Sequence, residues 1–388
     1  MTIKSKLPVS SRSFHFFEGD VSKKLDGVLE CLNEQKRVYD ATMDKLVALE
    51  NEQMILKEQL YYYAEAMMKE GTNNTHEARK KLFKNLPENS DQKIRLCQLS
   101  NAKLMFELDK ILRKNKIDYW ASYGTLVGAL TRNAPMPWDD DMDICMTREN
   151  LKKLISVLAK DNSFQITIIY DWYVKCIQYR FCSRNVKIPS FVDITPWDYG
   201  RERTLDAESR LREIREEMID AFDKAKLDYW DEIKVLPEPG SGFMRQIMDD
   251  AKKEDYGDLN SKRLSEEAKK IKKIFEEYRQ KAENEGLLVK RENAKTIVYG
   301  VDNMLMTKNR RLMYEKEMIF PTKRIKYEEF TISCPNDGEE YLNTCYKDWP
   351  FLPNDERLLI RYHFNPLILD DSEIQNAMRD FVGIPRLR

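Results

Sequence analysis

Residues 119–144 read Y-W-A-S-Y-G-T-L-V-G-A-L-T-R-N-A-P-M-P-W-D-D-D-M-D-I, and the fold turns on how this stretch is read. Residues 118–122 are expected to form a short strand, Gly124-Thr125 a turn, and residues 126–132 a short helix. Pro135 and Pro137 then impose an extended approach, because proline fixes φ and steers the residue before it away from helix. Residues 140–146 are expected as a second strand. Side chains alternate along a strand, so Asp139, Asp141 and Asp143 would share one face while Met142 and Ile144 turn into a core.

Three carboxylates on one face repel each other, and in apolar surroundings that is costly unless a cation offsets it. Oxygen ligands suit Mg²⁺ or Mn²⁺ better than zinc. A solvated acidic loop is the competing reading of any such run. Here a small-residue turn lies one short helix upstream, and an apolar residue follows each of Asp141 and Asp143. Both features favour a metal site.

Downstream, Thr147 suits the N-cap of a helix over residues 148–160, and residues 164–170 and 172–182 read as strands. The second strand carries Lys175 and Arg180, either of which suits a phosphate, although lone basic residues on strands are more often solvated. Phe191-Val192-Asp193-Ile194 sets one carboxylate inside an apolar run, where it needs a partner. A metal at Asp141 and Asp143 would supply one. Asp198, past Pro196, competes for the same role.

These motifs resemble the LicD/fukutin family of the nucleotidyltransferase superfamily. The family pattern runs approximately G-[ST]-L-L-G-A, a short spacer, then P-W-D-D-D-[IVM]-D-[IV]. This chain has Gly124-Thr125-Leu126-Val127-Gly128-Ala129, then Pro137-Trp138-Asp139-Asp140-Asp141-Met142-Asp143-Ile144. The family's D-I-F-P-L-D has its counterpart in Asp193-Ile194-Thr195-Pro196-Trp197-Asp198. Weaker echoes follow at Phe320-Pro321, Tyr341-Leu342, Asp348-Trp349 and Pro353, and Lys347 stands where the family usually has Gly.

The resemblance implies an α/β, nucleotidyltransferase-like mixed sheet with flanking helices. It implies a Mg²⁺- or Mn²⁺-dependent phosphotransferase taking a phospho-alcohol from a CDP-linked donor such as CDP-choline to a glycan hydroxyl, with CMP released. Asp141 and Asp143 would hold the metal, and Asp193 would be the third ligand or the base. Gly124, Thr125, Asp139, Asp140, Lys175 and Arg180 form the expected substrate-binding set. Two rivals stand beside this: a nucleotidyltransferase that moves NMP from an NTP and releases pyrophosphate, and a non-catalytic coiled-coil scaffold.

The N-terminal part lies outside the resemblance. Residues 1–20 are expected to be mobile. Over residues 21–70, one seven-residue series runs Leu25, Leu32, Tyr39, Leu46, Gln53, Leu60, Met67 and another Val28, Gln35, Thr42, Leu49, Leu56, Tyr63, with Gln35, Thr42 and Gln53 as polar members that weaken the seam. Seven-residue spacing of this kind with charges between predicts a coiled-coil helix. It is read as a homo-oligomerisation stalk, against a helix folded back on its own domain. The catalytic core is expected over residues 91–200, a helical insertion that covers or gates the site over 201–290, and the rest of the catalytic domain over 291–388.

Charge is nearly balanced, 65 basic against 66 acidic residues, so no global field argues for nucleic acid. Seven scattered cysteines without C-x-x-C point to buried thiols in a reducing compartment. No apolar leader opens the chain and no run of about 18 apolar residues follows. A cytoplasmic protein is expected, free or peripheral to the membrane, where the basic end I-P-R-L-R suits a membrane surface or another subunit.

Overall fold

A computed structural model describes residues 11–70, 84–171, 176–225, 266–302, 311–346, 349 and 366–383. Helix α1 (Ser11–Glu70) opens the chain and α2 (Gln92–Lys114) leads into the central stretch. There β1 (Trp120–Ala121), α3 (Tyr123–Arg132) and β2 (Asp143–Thr147) follow one another. Helix α4 (Arg148–Leu158) carries the chain to β3 (Phe164–Asp171), β4 (Cys176–Ser183) and β5 (Phe191–Gly200). Two helices, α5 (Leu205–Lys224) and α6 (Glu266–Asn284), precede β6 (Thr296–Tyr299) and β7 (Met313–Glu315). One helical turn, α7 (Lys316–Ile319), then β8 (Lys323–Tyr327), β9 (Phe330–Cys334), α8 (Gly338–Cys345) and α9 (Ser372–Val382) complete it.

The architecture is α/β, as expected. Seven strands form a mixed sheet in the order β1-β2-β5-β4-β3, with β6 on β5 and β7 on β6. The pair β2 and β5 is parallel and the other pairings are antiparallel. Strand β5 is long enough to serve two partners along one edge. Its residues 191–194 pair with β4 and residues 197–200 with β6, while the other edge takes β2. Helix α2 covers the sheet with Leu104, Leu108 and Leu112, all fully buried at helical spacing. Its N-cap Asp91 accepts the N–H of Lys93 at 2.8 Å. Thr147 caps α4 as its residue type suggests, accepting the N–H of Asn150 at 3.3 Å.

Helices α5 and α6 form an antiparallel pair, since Arg210 near the start of one grips Glu285 just past the end of the other. Phe222 meets Phe275 edge-on between them. The pair docks on the β6–β7 side of the sheet. Buried Arg215 donates to the carbonyls of Tyr299 and Gly300, and Glu208 accepts the N–H groups of Leu312 and Met313. Residues 226–265 lie outside the described residues, so the expected gating role rests on the sequence alone.

Helix α1 contains the whole heptad segment. From Leu25 to Leu49 its apolar positions face solvent, and among described residues only Ile55 and Tyr62 join the core. Tyr62 meets Trp138 edge-on at 5.5 Å, which ties the last turns of α1 to the P-W-D-D-D segment. Among the described cysteines, Cys97, Cys145, Cys182 and Cys334 are buried free thiols, in line with the expected buried thiols.

A buried ionic knot joins three of these elements. Arg148 at the head of α4 donates to both oxygens of Asp198 at 2.9 and 3.0 Å, and to both of Asp302 at 2.9 and 2.8 Å. Arg279 from α6 reaches Asp198 at 3.3 Å. Burial alone would raise the Asp198 pKa, but Arg148 and Arg279 outweigh it and hold the carboxyl below its ordinary range. Asp198→Ala should cost about 1–3 kcal/mol in a denaturant melt, because it leaves Arg148 with Asp302 alone and Arg279 with Glu283 alone. A depressed folded pKa means the wild-type contribution is complete above the unfolded value of about 4 and is lost as pH falls through the folded value. The gap between the wild-type and variant melts should therefore narrow in acid.

Candidate functional site

The site is built where the chain doubles back over α3. Asn133 ends that helix in the left-handed region, φ 56°. Residues 134–139 then pass over the helix face that carries Gly124 and Gly128, four apart and so on one side. A Cβ on Gly128 would lie 2.3 Å from the Ala134 carbonyl oxygen, and one on Gly124 would lie 2.3 Å from Asp139 Oδ2. Both glycines are needed because something must come closer than a side chain permits.

Three buried amide side chains hold the returning segment. Asn89 donates to the Pro137 carbonyl at 2.8 Å, Gln98 to that of Asp139 at 2.8 Å, and Asn101 to that of Asp140 at 2.6 Å. Asn101 also accepts the N–H of Phe191 at 3.1 Å, so one side chain ties the acidic segment to the start of β5. With its carbonyls taken this way, the segment does not enter the sheet until Asp143. The expected strand from residue 140 therefore starts three residues late, and Asp139, Asp141 and Asp143 do not share a strand face.

The trio that does assemble is Asp141, Asp143 and Asp193, each with a carboxylate oxygen within 4.8 Å of the others. Parallel pairing of β2 with β5 sets Asp143 opposite Asp193. The Asp193 N–H donates to the Met142 carbonyl at 2.8 Å, and the Asp143 N–H to Thr125 Oγ1 at 2.8 Å. Asp141 and Asp193 are buried and Asp143 is half-buried. Burial pushes the Asp139 carboxyl well above its ordinary range, and the charges of Asp141 and Asp143 and a hydrogen bond to Asp141 push the same way.

Residues 116–205 match the family model described as LicD/FKTN/FKRP, nucleotidyltransferase domain. This segment is a LicD-family domain. An uncharacterized protein of Rickettsia prowazekii (strain Madrid E) is 32% identical over 88 residues, 21% of this chain and 33% of the relative. Another from Rickettsia typhi (strain ATCC VR-144 / Wilmington) is 36% identical over 67 residues, 16% of this chain and 22% of the relative. The chain thus spans about a third or less of these relatives' lengths. A LicD domain points to transferase chemistry of the phosphotransferase or glycan-modifying kind.

Within the LicD domain, the other expected residues fall in distinct places. Gly124 lies at the open N-terminus of α3, beside Tyr123, whose φ of 47° is unusual for a bulky residue. Thr125 is buried with its hydroxyl on Asp143, so it shapes the site from behind. Asp140 is buried outside the trio. Arg180 is fully buried and donates to Asp193. Asp198 is held by Arg148 on the opposite pleat of β5, which leaves Asp193 as the trio's third member. Lys175 and Lys347 lie outside the described residues. Sequence reading missed Asn89, Gln98 and Asn101. The available signal was a pair of amides three apart on the buried face of α2.

The donor set is oxygen only, buried and mutually repelling, which fits a hard divalent cation such as Mg²⁺ or Mn²⁺. The two glycines should fail differently when changed to alanine. Gly128→Ala meets a backbone carbonyl and should lower stability by about 1–3 kcal/mol. Gly124→Ala meets only the end of a side chain, so its melt should shift less while turnover falls by roughly 10²-fold, as displaced acidic groups imply. Thermal melts and turnover assays on both variants check this contrast.

Proposed function

We propose that the protein is a Mg²⁺-dependent phosphotransferase that moves a phospho-alcohol, of the phosphocholine or phospho-polyol type, from a CDP-linked donor to a glycan hydroxyl. CMP is the leaving group, and the product is a modified cell-surface polysaccharide or glycoconjugate. The observation that carries the reading is the Asp141–Asp143–Asp193 trio beside the Gly124 turn in a LicD domain. Asp141, Asp143 and Asp193 would hold the cation, which neutralises diphosphate charge and so eases displacement at phosphorus. The acceptor oxygen forms a bond to the distal phosphorus as the bond to the CMP oxygen breaks, and the hydroxyl proton passes to Asp193 or, where that carboxylate holds the cation, to water. Gly124, with no Cβ, makes room for the Asp139 carboxyl against the first turn of α3, beside the trio.

Asp141→Asn and Asp143→Asn should each lower turnover by at least about 10²-fold while leaving the circular dichroism spectrum intact. EDTA should abolish turnover and Mg²⁺ restore it. Release of CMP from CDP-choline, CDP-ribitol or CDP-glycerol supports the phosphotransferase. Pyrophosphate release from an NTP would move the assignment to nucleotidyl transfer, and activity that survives EDTA would reject both. A protein inert toward all of these donors with metal present would fit the scaffold reading instead.

The proposal extends to self-association through α1. With Leu25 at a and Val28 at d, each apolar a and d residue from Leu25 to Leu60 is exposed, Leu46 at 48% and Leu60 at 72%. Each gains about 1.5–3 kcal/mol on full burial, so a partner helix is strongly favoured. A second copy, parallel and in register, suits the flanking positions. Lys45 at g would meet Glu50 at e of the next heptad, and Val38 would meet Met43. Light scattering should report an oligomer. Mild oxidation should cross-link Leu46→Cys, on the seam, and leave Arg37→Cys, on the outer face, uncoupled. A monomer, or equal cross-linking of the two, would reject the pairing.

No helix among the described residues is long and apolar enough to cross a membrane. The reading places the protein in the cytoplasm, free or against the membrane surface.

A further inference from the structure

We propose that Arg180 is a positioning residue for the acidic trio: it fixes the Asp193 carboxylate in the orientation from which Asp141, Asp143 and Asp193 share one divalent cation. Its expected role at the donor phosphate falls away. The inference rests on the cation reading above.

Register makes the contact. Arg180 on β4 lies directly across the antiparallel ladder from Asp193 on β5, so the two side chains leave the sheet on one face. Arg180 Nε donates to Asp193 Oδ1 at 2.6 Å and Nη2 to Oδ2 at 3.3 Å. Two bonds from a rigid planar fork fix the plane of a carboxylate as one bond from a lysine does not.

The arginine is itself held. Nη2 also donates to Gln178 Oε1 at 2.8 Å, and the guanidinium lies 3.9 Å from the centre of the Phe191 ring. Its side chain is 0% exposed, while Asp193 keeps 12%. The arginine thus holds the carboxylate from a fully buried position, while one of that carboxylate's oxygens stays within 4.8 Å of oxygens of Asp141 and Asp143. A carboxylate has about four acceptor sites, so two bonds to Arg180 leave capacity for a cation.

Without such a brace, three carboxylates within 4.8 Å would splay from mutual repulsion. A phosphate-reading arginine needs exposure to its ligand, and Arg180 has none.

The test is Mn²⁺ binding, measured by the electron paramagnetic resonance of free Mn²⁺ with no donor present. Arg180→Gln should weaken binding by about 10–100-fold, the range for residues that orient metal ligands. Arg180→Lys keeps the charge without the fork and should fall between. The combination Arg180→Gln with Asp193→Asn should bind no more weakly than Asp193→Asn alone, because the arginine acts through that carboxylate. In turnover assays the Arg180→Lys loss should appear as a raised Mg²⁺ requirement, with the donor KM unchanged at saturating metal.

A folded Arg180→Gln protein with wild-type Mn²⁺ affinity overturns the proposal, and so does additivity in the double variant. If Arg180→Gln does not fold, Gln178→Ala, which frees only one side of the guanidinium, should weaken Mn²⁺ a few-fold. Unchanged affinity there overturns the proposal as well. Tight Mn²⁺ binding that responds to these variants, with no CMP released from any donor, would keep the positioning role and reject the reaction. Wild-type protein that binds no Mn²⁺ would reject both.

Discussion

Asp143 and Asp193 stand opposite each other because β2 and β5 run parallel in one register. A slip of one residue would turn one of them onto the other face of the sheet and dissolve the trio. Much of the surrounding structure serves that pairing. Asp193 donates its N–H to Met142 just before β2 begins, and Thr125 takes the N–H of Asp143. Asn101 spans from Asp140 to Phe191, linking the two stretches at the point where their carboxylates converge. The long strand β5 also pairs with β4, which brings Arg180 to Asp193, and with β6, which anchors the helical pair.

One strand thus gives two carboxylates opposite fates. Asp193 and Asp198 are five apart, an odd spacing, so the pleat sends them to opposite faces. Asp193 meets other carboxylates as well as one arginine. Asp198 meets two arginines and is neutralised within the fold. A carboxylate already satisfied by guanidinium groups has little to offer a cation, and that is the physical basis for choosing between them.

The sequence made the acidic run and the Asp193 strand legible, because each is local and each breaks an expected pattern, whereas the turn expected at Gly124-Thr125 is the first turn of α3. An aspartate inside an apolar run demands a partner. The carriers of the remaining geometry were hidden for a different reason. Gln98 and Asn101 look like ordinary polar helix residues until the chain folds over them and supplies carbonyls. The late start of β2 follows from those same bonds. Arg180 could be seen as a cation on a strand, yet its partner depends on the register between β4 and β5, which no local pattern encodes. The heptad in α1 was fully legible as a helix, while the contact of Tyr62 with Trp138 was not.

The pairing of Arg180 with the trio also sets an electrical balance. If all three carboxylates are ionised they carry three negative charges and the guanidinium returns one positive charge, a surplus of two negatives for these four side chains. One divalent cation brings them to neutrality. A second would leave them with two uncompensated positive charges, which burial makes costly. It would be admitted only with a ligand that brings its own negative charge. For these four side chains taken alone, one ion would be the neutral count, with any increase tied to the arrival of an anionic ligand such as a diphosphate.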